Sequence, residues 1–362
     1  MALLAILICS IPSVAAEEAK KDATPFLLQP RKFPTAASSH YLAGELIQMD
    51  HVNRTGQLRP DRRNDQRTDD YDRAHLFTLI SFGTLRYHGG PAELRDIPIG
   101  THLHGQFYFD PKAGKDGKGA YSRAFLLEDD FSYHVSQQKR WQIETMNLEK
   151  GLLTVTQIST QDQKLAEKSV NYQVNPATRI WTGRSIGTLT NLAKGQSVLI
   201  NITVATLKGP GRCTDIWIDD ESRQLSTAQQ TELHRAYQKV HGIPGWIETV
   251  DNEKSHLTLT LFGGFDAVLT NEFKLKSRVA ALVAEESLRC YDQNNDRMYC
   301  EVLDMIRVEP VPGSSGIQLL LKPENLLEGF RPRRILRVLS DKWHLDDLPW
   351  EEMLWPADNR VK

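Results

Sequence analysis

The chain has 362 residues, of which 40% are hydrophobic and 25% are charged, a balance typical of a folded protein and not of a disordered one. Its length allows two to four domains. The formal net charge is −2. This charge argues against nucleic acid as a partner, because proteins that bind it usually carry a clear positive excess.

The first sixteen residues differ from the rest of the chain. Residues 1–14 are mostly apolar, and the small residues Val14-Ala15-Ala16 precede a charged segment that starts at Glu17. This pattern predicts a signal peptide over residues 1–16, although the usual basic residues directly after Met1 are missing. The alternative is an N-terminal membrane anchor, but the apolar run is shorter than the about 20 residues that span a bilayer. No later segment of the sequence is long and apolar enough to span one, so we expect a periplasmic or secreted protein.

Residues 17–40 are polar and contain proline, which predicts a tether and not a domain. Two β-barrels are expected next, over residues 41–139 and 140–222. Each begins with a stretch in which apolar and polar residues alternate, followed by a polar turn and a second alternating stretch, as in a hairpin of half-buried strands.

A short pattern recurs four times along the chain. An apolar residue is followed three positions later by glycine or a cation, and six positions later by the first apolar residue of a predicted strand. The four copies are Ile97-Gly100-Leu103, Leu192-Gly195-Val198, Phe273-Lys276-Val279 and Phe330-Arg333-Leu336. The pattern predicts the same barrel-closing turn at four places, because glycine accepts a positive φ without steric cost. Lys276 and Arg333 replace glycine, so these two turns are expected to differ or to be strained.

One helix is predicted between the second and third copies, over residues 223–243. Ser226 is its candidate N-cap and Gly242 its end, and Leu233, Tyr237 and Val240 share one face. Residues 244–345 contain copies three and four. Each of these copies is too short to bury a core alone, so we expect them to fold as one unit. Residues 346–362 are predicted to be a polar tail.

The second copy carries a family resemblance. Val174, Thr178 and Ile180 lead through Gly187 and Leu189 into the turn at Leu192, Gly195 and Val198. This segment resembles the short OB-like barrel domains of unknown function that occur in tandem in exported bacterial proteins. The resemblance is good over residues 141–218 and partial elsewhere. It implies an all-β fold of tandem small OB-like barrels with one connecting α-helix, and it implies no reaction.

The best candidate site for chemistry is the segment around His102 and His104. Both side chains lie on the same side of a predicted strand, and two imidazoles at this spacing can bind one transition metal. The third ligand would have to come from elsewhere in the fold: His51, His75, His88 or His134. The alternative is a solvated, partly packed polar face. The nearby carboxylates of Glu128, Asp129 and Asp130 are expected to lie in a solvated turn.

A cationic cluster is predicted in the fourth copy, formed by Arg331, Arg333, Arg334 and Arg337. Guanidinium groups suit an anionic envelope polymer or phosphate, while the acidic residues that follow allow a self-paired surface instead. Once the signal is removed, three cysteines remain: Cys213, Cys290 and Cys300. A Cys290–Cys300 disulfide across a hairpin is predicted, with reduced and packed thiols as the alternative.

No motif for a nucleophile, a phosphate loop or a cofactor stands out, so we expect no cofactor. The leading hypothesis is an exported, non-catalytic envelope protein that binds an unidentified partner or polymer through its barrel faces. One alternative is a metal-binding protein or metal-assisted enzyme that uses His102 and His104. The other alternative is a structural spacer.

Overall fold

A computed structural model describes residues 25–35, 39–61, 74–114, 118–203, 211–290, 297–343 and 348–354. The predicted signal peptide, residues 1–16, lies outside these ranges. The fold is all-β, with three small closed barrels and few helices, which confirms the predicted class of tandem small barrels. Within the described ranges, no helix combines the length and the apolar character that crossing a bilayer requires.

The first barrel has six strands in the order β2-β1-β5-β6-β3-β4, and pairing of β2 with β3 closes it. The strands are β1 (His40–Asp50), β2 (Thr55–Pro60), β3 (His75–Tyr87), β4 (Gly90–Pro91), β5 (His102–Asp110) and β6 (Ala120–Asp129). Alternate residues of the strands point inward, as the period of two predicts. Leu46, Leu58, Phe77, Leu103 and Phe107 are buried together in its core.

The second barrel follows a short helix, α1 (Asp130–Ser136), which the sequence did not predict. Its strand order is β11-β10-β13-β12-β7-β8-β9, and it closes through β13 and β9. The strands are β7 (Lys139–Asn147), β8 (Leu152–Ser159), β9 (Leu165–Gln173), β10 (Arg179–Thr182), β11 (Ser185–Gly187), β12 (Ser197–Thr203) and β13 (Arg212–Trp217). Trp141, Val155, Ile180 and Ile216 are buried in its core.

The connecting helix α2 spans Asp220–His241 and ends at Gly242, as predicted, but it begins earlier than Ser226. The N-cap is Asp219, whose carboxylate accepts a hydrogen bond from the Ser222 amide. The predicted apolar face is wrong at Leu233, which is 62% exposed, whereas Val240 packs against the core of the third barrel. The most deeply buried residues of the helix are polar. They are Ser222, Arg223, Gln230, His234, Gln238 and His241.

The third barrel is closed and contains six strands from both of the last two copies, in the order β14-β15-β18-β17-β16-β19. They are β14 (Ile243–Asp251), β15 (His256–Phe262), β16 (Arg278–Ala284), β17 (Arg297–Arg307), β18 (Ser314–Pro323) and β19 (Ile335–Ser340). Short 3₁₀ turns lie at Leu94–Asp96, Leu189–Asn191, Ala267–Glu272 and Trp350–Glu352. The first three of these directly precede or overlap the repeated turn pattern.

The four repeated turns have the same geometry. In each, the glycine or cation three positions after the first apolar residue has a positive φ: 94° at Gly100, 80° at Gly195, 63° at Lys276 and 69° at Arg333. Its amide donates to a carbonyl in a neighbouring hairpin, and that hairpin residue donates back to the next carbonyl of the turn. The turns at Lys276 and Arg333 therefore do not differ from the glycine turns, and they carry the strain of a left-handed residue with a side chain.

The partner of each turn shows how copies three and four are joined. Gly100 and Gly195 donate to Leu46 and Ile143, each in the hairpin of its own copy. Lys276 of copy three donates to Val302 in the hairpin of copy four, and Arg333 of copy four donates to Ile247 in the hairpin of copy three. The last two copies thus exchange their closing turns.

The described parts of the predicted tether and tail are docked, so both predictions are wrong for these residues. The ring centroid of Phe33 lies 4.5 Å from that of Trp246 in the third barrel. It also lies 5.5 Å from the ring centroid of Phe82 in the first barrel. Near the other end of the chain, Leu348 is 4% exposed. The Leu354 amide donates to the Cys290 carbonyl at 2.7 Å. Apolar side chains in these segments explain the docking, because their burial stabilises the folded chain.

Candidate metal centre

His102 and His104 lie on β5 of the first barrel, where it faces the second barrel. They are separated by the inward-pointing Leu103, which is fully buried. The alternation of the strand therefore places both imidazoles on the opposite side from the core. Their ring centroids are 4.9 Å apart, as the sequence pattern predicts for two residues on one face.

Asp130 brings a carboxylate between the two imidazoles. It is the first residue of α1, and the preceding Asp129 pairs with Leu103 of β5 and caps the helix. The Asp130 Oδ1 atom lies 2.7 Å from His102 Nδ1 and 3.0 Å from His104 Nε2. The ligand atoms of the three residues all lie within 4.8 Å of one another.

Each of these three side chains is also held at its far atom. His102 Nε2 lies 3.1 Å from Asp61 Oδ2, and the Asp61 amide is bonded to β1 through the Ala43 carbonyl. His104 Nδ1 lies 2.6 Å from the Tyr41 hydroxyl. Asp130 Oδ2 accepts a hydrogen bond of 2.9 Å from the amide of Ile202, which belongs to β12 of the second barrel. The cluster therefore joins two barrels, and its rings cannot turn freely.

Stacking fixes the second imidazole further. The ring of Tyr133, on α1, lies parallel to the ring of His104, with 3.8 Å between centroids and an angle of 6°. His102 and Asp130 are 4% and 5% exposed, while Tyr41 is 42% exposed. The cluster is thus buried on the barrel side, and Tyr41 marks its solvent side.

Burial and charge set the protonation of the cluster. Burial lowers the pKa of His102, but the carboxylates of Asp130 and Asp61 outweigh burial and raise it. Burial raises the pKa of Asp130, but the charge of His102 and hydrogen bonds from both imidazoles hold it well below its usual range. Burial lowers the pKa of His104. His102 is therefore a cation between two carboxylates, and His104 is neutral, donating from Nε2 to Asp130 and accepting from Tyr41.

The third donor is an aspartate, not a histidine. His75 Nε2 is bonded to the Tyr121 carbonyl at 2.9 Å, and His88 stacks on Tyr87 with 3.8 Å between ring centroids. His134 is the nearest of the four predicted histidines, with its ring centroid 6.3 Å from that of His104. Burial lowers the pKa of His134 to about 4.

The prediction of a solvated turn at Glu128, Asp129 and Asp130 is wrong, since all three are buried. The carboxylate of Asp129 accepts hydrogen bonds from the amides of His88 and Ser132 and from the side-chain amide of Asn201 on β12. Three donors offset the cost of burying this charge. The sequence signal that was available is the Asp-x-x-Ser spacing of an N-cap, from Asp129 to Ser132.

The four predicted anion-binding arginines do not form one cluster. Arg331 is exposed and paired with Glu328. Arg333 is exposed, at its strained turn. Arg337 is 4% exposed and faces α2, donating to the carbonyls of Leu288 and Gly242. The strand β19 begins between Arg334 and Arg337, and its pleat separates them.

The predicted Cys290–Cys300 disulfide is wrong, because all three described cysteines are free and buried. Cys290 pairs with Ala284 and Cys300 with Val279, at opposite ends of β16. This separation is roughly 16 Å along the strand, at about 3.3 Å per residue. A disulfide needs Cα atoms within about 7 Å. Burial raises the pKa of each of the three thiols.

Comparison with protein-family models and with curated proteins found no match for this chain. The resemblance of residues 141–218 to tandem OB-like domains of exported bacterial proteins stays a prediction. Function has to be inferred from the geometry of the site, and the cluster of His102, His104 and Asp130 is where that geometry is most specific.

Proposed function

We propose that this protein binds a divalent transition metal ion through His102, His104 and Asp130, and that the ion displaces the protons by which the two imidazoles are hydrogen-bonded to Asp130 in the metal-free chain. The observation that supports the proposal is that three donor atoms converge while every far atom is held by a further residue. Histidines that bind metals usually have their second nitrogen fixed in this way by a carboxylate or another polar group. Here Asp61 fixes the second nitrogen of His102, and Tyr41 fixes the second nitrogen of His104.

The donor set favours zinc. Two imidazoles and one carboxylate suit a borderline ion such as Zn²⁺, whereas Ca²⁺ and Mg²⁺ prefer all-oxygen sites. Three protein ligands are fewer than the four of a structural zinc site, and they leave a position for water or another ligand. The site would then supply a polarising cation at the junction of the first two barrels.

Metal analysis of the purified protein tests this proposal. We expect one Zn²⁺ per chain after dialysis and a saturable titration by calorimetry. His104→Ala removes one ligand, and we expect it to lower zinc affinity by roughly 100-fold or more. Tyr41→Phe keeps the ligands but removes the hydroxyl that holds His104, and we expect a smaller loss of roughly tenfold.

A matched control separates ligand loss from general damage. His51 is exposed and lies outside the cluster, so His51→Ala should bind zinc like the unchanged protein. Circular dichroism and thermal unfolding confirm that each variant is folded. If the folded protein binds no zinc in stoichiometric amount, or if His104→Ala binds it unchanged, the cluster is a hydrogen-bonded ion network without a metal.

The leading hypothesis from the sequence, an exported non-catalytic protein that binds an envelope partner or polymer, stays a prediction. The periplasmic or secreted location also stays a prediction. If the protein were a structural spacer, no cluster of converging polar side chains would be expected. The grouping of His102, His104 and Asp130 therefore disfavours the spacer hypothesis.

A further inference from the structure

A second polar site lies away from the histidine cluster, where the first barrel, α2 and the third barrel meet. It is a small cavity that is partly open to solvent. The helix α2 contributes Tyr237 to its lining, and the charged residues come from the first barrel, the third barrel and the segment that follows the third barrel. These charged residues are Arg54, Glu93, Arg95, Arg289, Arg337 and Glu352.

The two carboxylates in this lining are already paired. Glu93 Oε2 lies 3.0 Å from Arg54 Nη1, and Glu93 Oε1 lies 3.5 Å from His234 Nε2. Glu352 Oε2 lies 2.6 Å from His241 Nε2, and Glu352 Oε1 lies 3.7 Å from Arg95 Nη1. Both carboxylates are engaged in these pairs, and their charges also act on Arg337 at longer range.

The other two guanidinium groups, those of Arg289 and Arg337, form no ion pair with a carboxylate in the described part of the chain. Neither Arg289 nor Arg337 has an acidic oxygen within 4.0 Å among the residues that the structure describes. Arg337 is 4% exposed and donates to two carbonyls, at 2.9 Å to Leu288 and 3.5 Å to Gly242, and to the hydroxyl of Tyr237. Arg289 donates to the Met353 carbonyl at 2.9 Å. The Nε–H groups of both arginines are buried and unbonded in the described part of the chain.

An unneutralised guanidinium at a buried position costs free energy unless an anion accompanies it. The four arginines exceed the two glutamates in the lining by two positive charges. The ring of Tyr237 lies between two of these cations, with its centroid 5.7 Å from Arg95 Cζ and 6.0 Å from Arg337 Cζ. This arrangement keeps the guanidinium groups near the cavity without supplying a full negative charge.

We infer that this cavity binds a doubly charged tetrahedral oxyanion, namely inorganic phosphate or the phosphate group of a larger molecule. Phosphate carries nearly two negative charges at neutral pH, which matches the excess in the lining. Its oxygens accept hydrogen bonds from the N–H groups of arginine, whose planar arrangement of donors matches two phosphate oxygens at once. The inference is independent of the metal site, since the two sites share no residue.

Calorimetry with the full chain tests the inference. Inorganic phosphate is titrated at constant ionic strength, with chloride as the comparison and a chelator present so that no metal takes part. We expect saturable binding of one phosphate per chain and a rise in the unfolding temperature that chloride does not give. A phosphate monoester of a small alcohol is the second arm. Equal or tighter binding of the monoester identifies the phosphate group of a larger molecule as the ligand, and its exclusion identifies free phosphate.

Variants locate the site. Arg289 is only partly buried, so Arg289→Gln should fold and should lower phosphate affinity by roughly tenfold or more. Arg331→Gln is the matched control, because Arg331 is exposed, paired with Glu328 and outside the cavity, and it should bind phosphate unchanged. The inference is overturned if phosphate gives no saturable signal beyond chloride, or if Arg289→Gln and Arg331→Gln bind equally well.

Discussion

At the scale of single residues, Asp130 shows how a carboxylate can change its role on folding. In the sequence it is one of three adjacent acidic residues, a composition typical of a solvated turn. In the structure it is 5% exposed, because Asp129 caps α1 and turns the chain back over β5. The positive charge of His102 then compensates the negative charge that burial would otherwise penalise.

Glu93 gives a prediction at the same scale. Burial raises its pKa, but the hydrogen bond to His234 and the charge of Arg54 outweigh burial and lower it from 4.5 to about 2. The unfolded chain therefore binds more protons than the folded chain in this range. The stabilisation, about 3 kcal/mol, is present above pH 4.5 and is lost as the pH falls towards 2.

Urea unfolding at a series of pH values measures this effect. Glu93→Gln should be less stable at neutral pH, because Arg54 is left buried without its carboxylate, and its stability should fall less steeply below pH 4.5. Glu232→Gln, on the exposed side of α2, is the control and should keep the wild-type slope. An unchanged slope in Glu93→Gln would show that Glu93 does not cause the acid sensitivity.

At the scale of elements, the repeated turn is the unit that builds every barrel. Four turns of different sequence adopt one hydrogen-bond pattern and one positive φ. Lys276 and Arg333 adopt this conformation although it is unfavourable for a residue with a Cβ atom, because the surrounding strands fix both ends of the turn. Tertiary pairing thus outweighs a local backbone preference.

Substitutions at two of the turns test whether the four turns are equivalent. Lys276→Gly removes the strain and should raise the free energy of unfolding by about 0.5–1 kcal/mol. Gly195→Ala introduces the same strain at an equivalent turn and should lower the free energy of unfolding by about 1 kcal/mol. A Cβ atom at Gly195 meets nothing within 4 Å, so a clash would not explain the loss. Effects of the same sign in both variants would contradict the equivalence of the turns.

At the scale of the whole molecule, the third barrel depends on the exchange between its two copies. β16 of copy three pairs with β17 and β19 of copy four, and each closing turn binds the other copy's hairpin. Neither copy can close a barrel alone. The exchanged copies therefore form one folding unit, to which α2 docks through its polar face.

Cleavage within the third barrel gives the matching prediction. A protease site placed in residues 291–296 separates 243–290 from 297–340 along the chain. We expect the two pieces to stay together in gel filtration and to unfold in one transition, because six strands still close one barrel. Two separate, stably folded fragments after cleavage would show that the copies are independent.

The sequence alone determined the class of the fold, the four turns and the pair of histidines. These features depend on local periodicity and on residue types whose backbone preferences are strong. Even so, the apolar face predicted for α2 is wrong at Leu233, which is exposed to solvent. The helix packs against polar barrel surfaces that the periodicity of its own sequence does not reveal.

Only the tertiary structure decided which residues meet. Asp130 joins His102 and His104 because a strand ending and a helix start lie beside β5. Arg337 lines the same cavity as Arg289 and is separated from the arginines that precede it in the sequence, because side chains of a pleated strand point alternately to its two faces. Contacts between residues far apart in the chain depend on how the barrels close and dock, and a local pattern contains no information about that.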